Sequence, residues 1–252
     1  MNQDKRRPIL QHLGELKGRL IKCLIAVAVG IGISFPFCPQ IFEILKSRAE
    51  GIDLIYTHVV EYLGTYMKLA LYCGVALALP FVIYQVIMFI SPGLKAREKR
   101  YLYSLMPAVA LLFISGVAFA YFILLPPALN FLLTFSGEIA RPLITIENYV
   151  SVIIRLLFAM GLVFEIPLVM SFLNMIGVVT PQWMTKNRKW AFVVAFILGA
   201  AITPTMDPVN QTLVAAPIII LWEMSICLAK LIQKRQRRPV PSEFEAPTSP
   251  SH

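Results

Sequence analysis

Apolar residues gather into six blocks along this chain, at about 21–38, 66–90, 101–125, 148–176, 190–204 and 209–229. A helix needs roughly 20 residues at 1.5 Å each to cross ~30 Å of hydrocarbon. Four of the blocks clear that length easily. The fifth is near 15 residues, about 22 Å as a helix, and with the turn at 205–208 it reads as the first leg of a tight hairpin. So short a leg implies local thinning of the bilayer around it. Between the blocks, segments 39–65 and 126–147 mix aromatic and aliphatic residues (Phe42, Ile44, Leu54, Tyr56; Phe131, Leu132, Phe135) and are predicted to pack as short helices capping one face. The expected organisation is an all-α membrane protein with an arm at 1–20, a six-helix transmembrane domain at 21–229 and a tail at 230–252. The tail, rich in Pro, Ser and charge from Gln236 onward, cannot bury enough to fold.

Composition supports the same reading. Residues of the AVILMFWYC set make up 58% of the chain, mean hydropathy is +0.71, and charged residues supply 15%, against about 25% in soluble domains. A water-soluble fold of this length would expose large apolar patches. Cys23, Cys38, Cys73 and Cys227 form no C-x-x-C pair and have no metal-ligand spacing, so they read as small apolar residues.

Charge then fixes orientation. Eighteen of the 23 Lys and Arg residues fall in the arm, the 91–100 loop, the 177–189 loop and the tail. The opposite loops hold only Lys46, Arg48 and Arg141. The basic side is cytoplasmic by the positive-inside rule, giving six spans with both ends inside. The net charge of +9 lies in blocks between apolar runs rather than along one polar face, which excludes a nucleic-acid footprint. Arg6-Arg7 is followed by Pro8 and a charged segment, not by an apolar run ending in a cleavage site. It reads as positive-inside charge and not as an export signal.

Few residues on this apolar background carry chemistry. In the arm, His12, Glu15 and Arg19 share one helical stripe and Leu13, Leu16 and Leu20 another. Glu15 either pairs with Arg19 at i+4 or offers its carboxylate to a cationic ligand. Glu98, between Arg97 and Lys99, either balances charge in a helix cap or forms a second acceptor. On so basic a face a cation binds only where a carboxylate stands, and arginine's planar fork suits a carboxylate best. Glu165 lies deep in the fourth block, with Pro167 two residues on and no basic residue within a turn. A carboxylate there costs roughly 2.5–3.5 kcal/mol on insertion scales. It therefore carries a proton, faces a water-filled concavity or hydrogen-bonds in helix packing. Gln85 and Gln211 read equally as helix–helix glue or ligand contacts. Glu223 has only Lys230 at i+7 as a loose partner. Ala26, Gly30 and Ser34 allow close helix approach. No hydrolase, zinc-protease or phosphate-loop motif is present, and the chain has three histidines, so neither an enzyme nor a bound cofactor is expected.

Five elements in order carry a resemblance. The arm H-L-G-E-L-K-G-R-L spans His12 to Leu20. The second block and its loop give P-F-V-I-Y-Q-V-I-M-F-I-S-P-G-L-K-A-R-E-K-R. The third carries Phe113, Gly116, Phe119, Tyr121, Phe122 and Pro126, the fourth F-E-x-P at Phe164, Glu165 and Pro167. The last hairpin has Thr203, Pro204, Asp207, Gln211, Ala215 and Pro217. Over about residues 9–232 the chain resembles TatC, the receptor and core subunit of the twin-arginine protein translocase. The resemblance implies a concave, glove-like bundle in the inner membrane that binds the twin-arginine signal peptides of folded cargo. The implied signal-peptide residues are Leu13, Glu15, Leu16, Lys17, Arg19, Phe89 and Glu98. Glu165 matches the family's intramembrane glutamate. Asp207 and Gln211 fall in the region where single-span TatA- and TatB-type partners dock. Self-association in a larger complex, and drive by the proton-motive force, are implied likewise. Lys17 stands where the family usually has Arg, keeping charge but losing the fork, and the first outer loop lacks the family's common proline. The alternative reading of the residues is a proton-coupled small-molecule transporter relayed through Glu165. Such transporters usually show two related halves, and no repeat is visible here.

Overall fold

The computed structural model describes residues 6–48, 54–55, 57–90, 96–134, 144–203 and 207–236. They form ten α-helices and one two-stranded pairing. Helix α1 (Arg6–Ser34) runs through a 3-10 turn at Phe35–Phe37 into α2 (Cys38–Lys46). Strand β1 (Leu54–Ile55) precedes α3 (Val59–Ile90). Helix α4 (Ala96–Phe119) passes through a π turn at Ala120–Leu124 into α5 (Leu125–Thr134). After β2 (Ile144–Thr145) come α6 (Ile146–Phe164), α7 (Ile166–Met175), the short α8 (Pro181–Lys186), α9 (Arg188–Ile202) and α10 (Pro208–Gln236).

Five helical stretches are long and apolar enough to cross a membrane: Gly14–Lys46, Val60–Phe89, Met106–Phe131, Ile146–Met175 and Pro208–Lys234. The sixth expected span is α9, a 15-residue helix of about 22 Å. Only 11% of the apolar window in the first stretch is buried. Leu24, Ile25, Val29 and Ile33 are all more than half exposed. Such a surface is stable only against lipid.

Bilayers supply no hydrophobic drive between helices, so association rests on close packing at small residues. Gly30 of α1 lies against Gly74 of α3, and a Cβ on Gly74 would sit 2.5 Å from the Ile31 backbone nitrogen. Helices α4 and α6 meet at Gly116, beneath the Met160 carbonyl, and at Gly161, beneath the Phe113 ring. Gly199 of α9 faces the Gln211 carbonyl of α10. The main core gathers Leu69, Leu124, Leu125, Ile153, Met160 and Val214 around these crossings.

Helix interruptions follow from proline. Pro167 has no N–H for the Val163 carbonyl, so the fourth expected span breaks at Glu165 into α6 and α7. In the third, Pro126 and Pro127 follow the π turn, where Leu125 N–H donates to the Ala120 carbonyl. Gly177, at φ +79°, ends α7, and Val178 N–H donates to the Leu173 carbonyl across the turn. Thr180 then caps α8, its hydroxyl oxygen accepting from Trp183 N–H at 3.2 Å.

The face opposite the basic segments is capped as expected by short helices, α2 and α5, but a pairing not foreseen ties them together. Strands β1 and β2 run parallel with Leu54 opposite Ile144 and Ile55 opposite Thr145. Glu61 accepts from Thr57 N–H and its hydroxyl, both at 2.9 Å, and from Glu147 N–H at 3.3 Å. Lys68 and Glu147 form an ion pair. Tyr121 and Tyr149 donate hydroxyl protons to the carbonyls of Ile44 and Leu45 at 3.0 and 3.2 Å, and Arg48 stacks 4.5 Å over the Tyr121 ring. These contacts draw α3 seven residues past the expected start of its block, to Val59. At the other end of the chain α10 continues helical through residues 230–236, and the tail beyond lies outside the described residues.

Gly74→Leu is expected to destabilise the bundle by about 1–3 kcal/mol through overpacking against Ile31. Gly32→Leu, where a Cβ meets nothing within 4 Å, should leave stability unchanged. Thermal unfolding in one detergent compares the two.

Candidate functional site

Helix α1 carries the arm residues out of the bundle at its basic end. It opens with Arg6 and Arg7 and carries Glu15 and Arg19 in its third and fourth turns. Arg19 bridges two elements. Its Nε and Nη2 donate to Glu15 Oε1 at 3.1 and 2.6 Å, and its Nη1 donates to Gln85 Oε1 at 3.1 Å. The Arg19 side chain is 19% exposed and that of Glu15 is 43%, while Gln85 is buried near the end of α3. All three bonds use one oxygen of each acceptor. Glu15 Oε2 has no bond among the described residues and opens to the surroundings.

The intrahelical pairing expected for Glu15 is therefore present, and it does not consume the carboxylate. Gln85 acts as glue between α1 and α3, with an arginine as the group it holds. Leu16 and Lys17 are exposed beside this cluster. Phe89 lies one turn beyond Gln85 on α3, partly buried. Glu98 sits in the first turn of α4. Its side chain, like that of Leu13, lies outside the described residues.

Glu165 occupies the break between α6 and α7. It is 3% exposed, and neither carboxyl oxygen has a hydrogen-bond partner among the described residues. Of the roles anticipated from sequence, hydrogen-bonded helix packing finds no donor here among the described residues. Its backbone is fully engaged: the Glu165 carbonyl accepts from Leu168 and Val169 N–H at 3.1 and 2.9 Å. Phe164 and Pro167 line an apolar groove of about 550 Å³ with Phe119, Pro217, Leu221 and Met224.

At the opposite end, Asp207 caps α10, its Oδ2 accepting from Asn210 N–H at 2.7 Å. Gln211 Nε2 donates to the Phe196 carbonyl at 2.9 Å, fastening α10 to α9. The structure thus separates the sequence-derived residues into three places: the arm with Gln85, the Glu165 break, and the α9–α10 turn.

Further pairings escaped sequence reading. Glu223, expected to find only Lys230, instead holds Arg188 at 2.7 Å, across from α10 to α9. The reason is the tight hairpin, which brings the start of α9 against the later half of α10. On the outer face, Glu61, Glu147 and Arg48 carry contacts that no local pattern announced. The only available signal was that charged residues this near apolar blocks need partners.

The family model "Sec-independent protein translocase protein (TatC)" matches residues 11–217. The Sec-independent protein translocase protein TatC of Carboxydothermus hydrogenoformans is 36% identical over 236 residues, covering 93% of this chain and 97% of its own. That of Aquifex aeolicus is 39% identical over 236 residues, covering 91% and 98%. A crystal structure of the twin arginine translocase receptor TatC aligns with a TM-score of 0.78 at 40% identity, covering 88% of this chain and 99% of that one. Small-residue crossings, an arm arginine bonded to the second long helix and a buried glutamate at a helix break are thus set in a shared polytopic helical scaffold. On these grounds the chain belongs to the TatC family of Sec-independent protein translocase proteins.

Proposed function

We propose that this chain is the signal-peptide receptor of a twin-arginine translocase in the inner membrane. In this reading it binds paired arginines on folded cargo, assembles with single-span TatA- and TatB-type subunits and further copies of itself, and draws on the proton-motive force. The observation that carries the proposal is the Glu15–Arg19–Gln85 cluster. A carboxylate on the basic face already holds a guanidinium, whose Nε and Nη2 both donate to Oε1, and its second oxygen has no partner among the described residues. Charge-assisted bonds of this type favour arginine over lysine, whose ammonium is a point charge. Glu98 supplies the second carboxylate in the proposed site, and Leu13, Leu16 and Phe89 the apolar rim. Lys17 and Arg19 hold the local field positive, so binding depends on the two acids. Asp207 and Gln211 are proposed to mark the partner-docking end.

A twin-arginine peptide should bind the purified protein in nanodiscs more tightly than its Lys-Lys variant. Glu15→Gln and Glu98→Gln should each weaken the twin-arginine complex by on the order of tenfold, with helicity unchanged. Affinity for the peptide unchanged from wild type in both variants would remove the carboxylates from the site.

Glu165 gives a second test, because stability and function should move apart. A buried polar group without a partner costs about 1–3 kcal/mol. Glu165→Leu should therefore raise the unfolding midpoint while lowering cargo export. Glu165→Gln keeps hydrogen-bonding capacity and removes the ionisable group. Full export by that variant would show that the site needs polarity alone and would rule out a proton relay.

A further inference from the structure

Beyond the arginine cluster, the basic end carries a second concave site, between α8 and α10. A cavity of about 400 Å³ is lined by Pro181, Gln182, Thr185, Lys186, Lys230 and Gln233. Its walls are set by a small separate core in which Val179 and Met184 pack against Ile226 and Ala229. The backbone framing this open hollow is therefore fixed by the fold, and Gln182, Lys186 and Lys230 reach into it from the exposed surface. Its charge is one-sided. Glu223 is the single carboxylate in α8, α9 and α10, and Arg188 occupies it at 2.7 Å. Lys186 and Lys230 have no ion-pair partner among the described residues. The Thr185 hydroxyl donates to the Pro181 carbonyl at 2.8 Å, so the donors facing the cavity are the two ammonium groups and the amides of Gln182 and Gln233. Trp183 is 50% and Trp190 69% exposed, which sets this level of the bundle at the membrane–water interface, where such rings gather. Leu231 stands 64% exposed one residue past Lys230, offering apolar surface beside the charged mouth.

Two unpaired lysines and two amide donors in an acid-free hollow at headgroup depth match a phosphodiester. The geometry points to a binding site for the phosphate headgroup of an anionic lipid, held by Lys186 and Lys230 with Gln182 and Gln233 and clamping α8 to α10. It is separate from the Glu15 cluster and does not depend on it.

The test uses the full chain in phosphatidylcholine nanodiscs with and without phosphatidylglycerol, with lipid retention read by native mass spectrometry after detergent exchange. Wild-type protein should retain phosphatidylglycerol. K186Q/K230Q should reduce that retention by about thirtyfold, from roughly fivefold for each lysine near the surface. K186R/K230R should restore it. K189Q/K234Q, which removes the same charge outside the cavity, should leave it unchanged. Equal losses in K186Q/K230Q and K189Q/K234Q would reduce the effect to general surface charge and overturn the site. Inorganic phosphate added to lipid lacking phosphatidylglycerol separates the sources. If it raises the wild-type unfolding midpoint as much as phosphatidylglycerol does, and K186Q/K230Q abolishes both rises, the ligand is free phosphate and the lipid assignment fails.

Discussion

The register between α1 and α3 is the constraint on which the rest of the molecule depends. Gly30 and Gly74 let the two backbones touch, and no side chain fits between them. Because the helices run antiparallel, residue 19 lies as far before Gly30 as residue 85 lies after Gly74, about 16 Å along the axis. Arg19 meets Gln85 at that distance on the basic side. On the other side the same register brings Phe42 to Tyr62, with ring centroids 5.8 Å apart. One crossing therefore aligns the arm for its polar cluster and seats α2 beneath the outer cap. A slip of one residue would rotate Arg19 about 100° away from Gln85, and the buried amide oxygen would lose its donor.

Which features the sequence made legible depends on how local their physics is. The spans follow from runs of apolar residues, and orientation from a charge imbalance that needs no folding at all. The Glu15–Arg19 pair was legible because i, i+4 neighbours meet on any helix. Gln85 as its third member was not, since that contact exists only through the α1–α3 register. Glu223 shows the same limit. Along α10 its nearest base is Lys230, but the tight α9–α10 hairpin puts Arg188 across from it. The β1–β2 pairing joins residues ninety positions apart, far beyond any local pattern. Pro167 marked a break whose consequence, an unpaired carboxyl sealed at the bend, required tertiary packing to appear.

Glu165 and Gln85 illustrate two ways of placing a polar group in a membrane. Gln85 is buried and has found a charged donor, so its burial stabilises one helix pairing over others. Glu165 is buried at a point where Pro167 has already interrupted the backbone ladder, and its carboxyl oxygens meet no donor among the described residues. A group so placed destabilises the resting fold, and it does so beside a groove whose lining residues come from α4, α6, α7 and α10.

The arginine already present at Glu15 bears on how a receptor for paired arginines discriminates. Specificity is a difference of affinities, and the reference here is not an empty carboxylate but one half-satisfied by Arg19. A single incoming guanidinium adds bonds only at the open Oε2, or exchanges with Arg19 for little net gain. A lysine offers one point charge to the same oxygen and brings no fork. A peptide with two adjacent arginines gains more, because one can join Glu15 while the other reaches a second acid, which in the proposed site is Glu98. The resting pair would thus lower affinity for isolated cations on the basic face. In the proposed function, a requirement for two arginines would follow from the site's own arginine as much as from its acids.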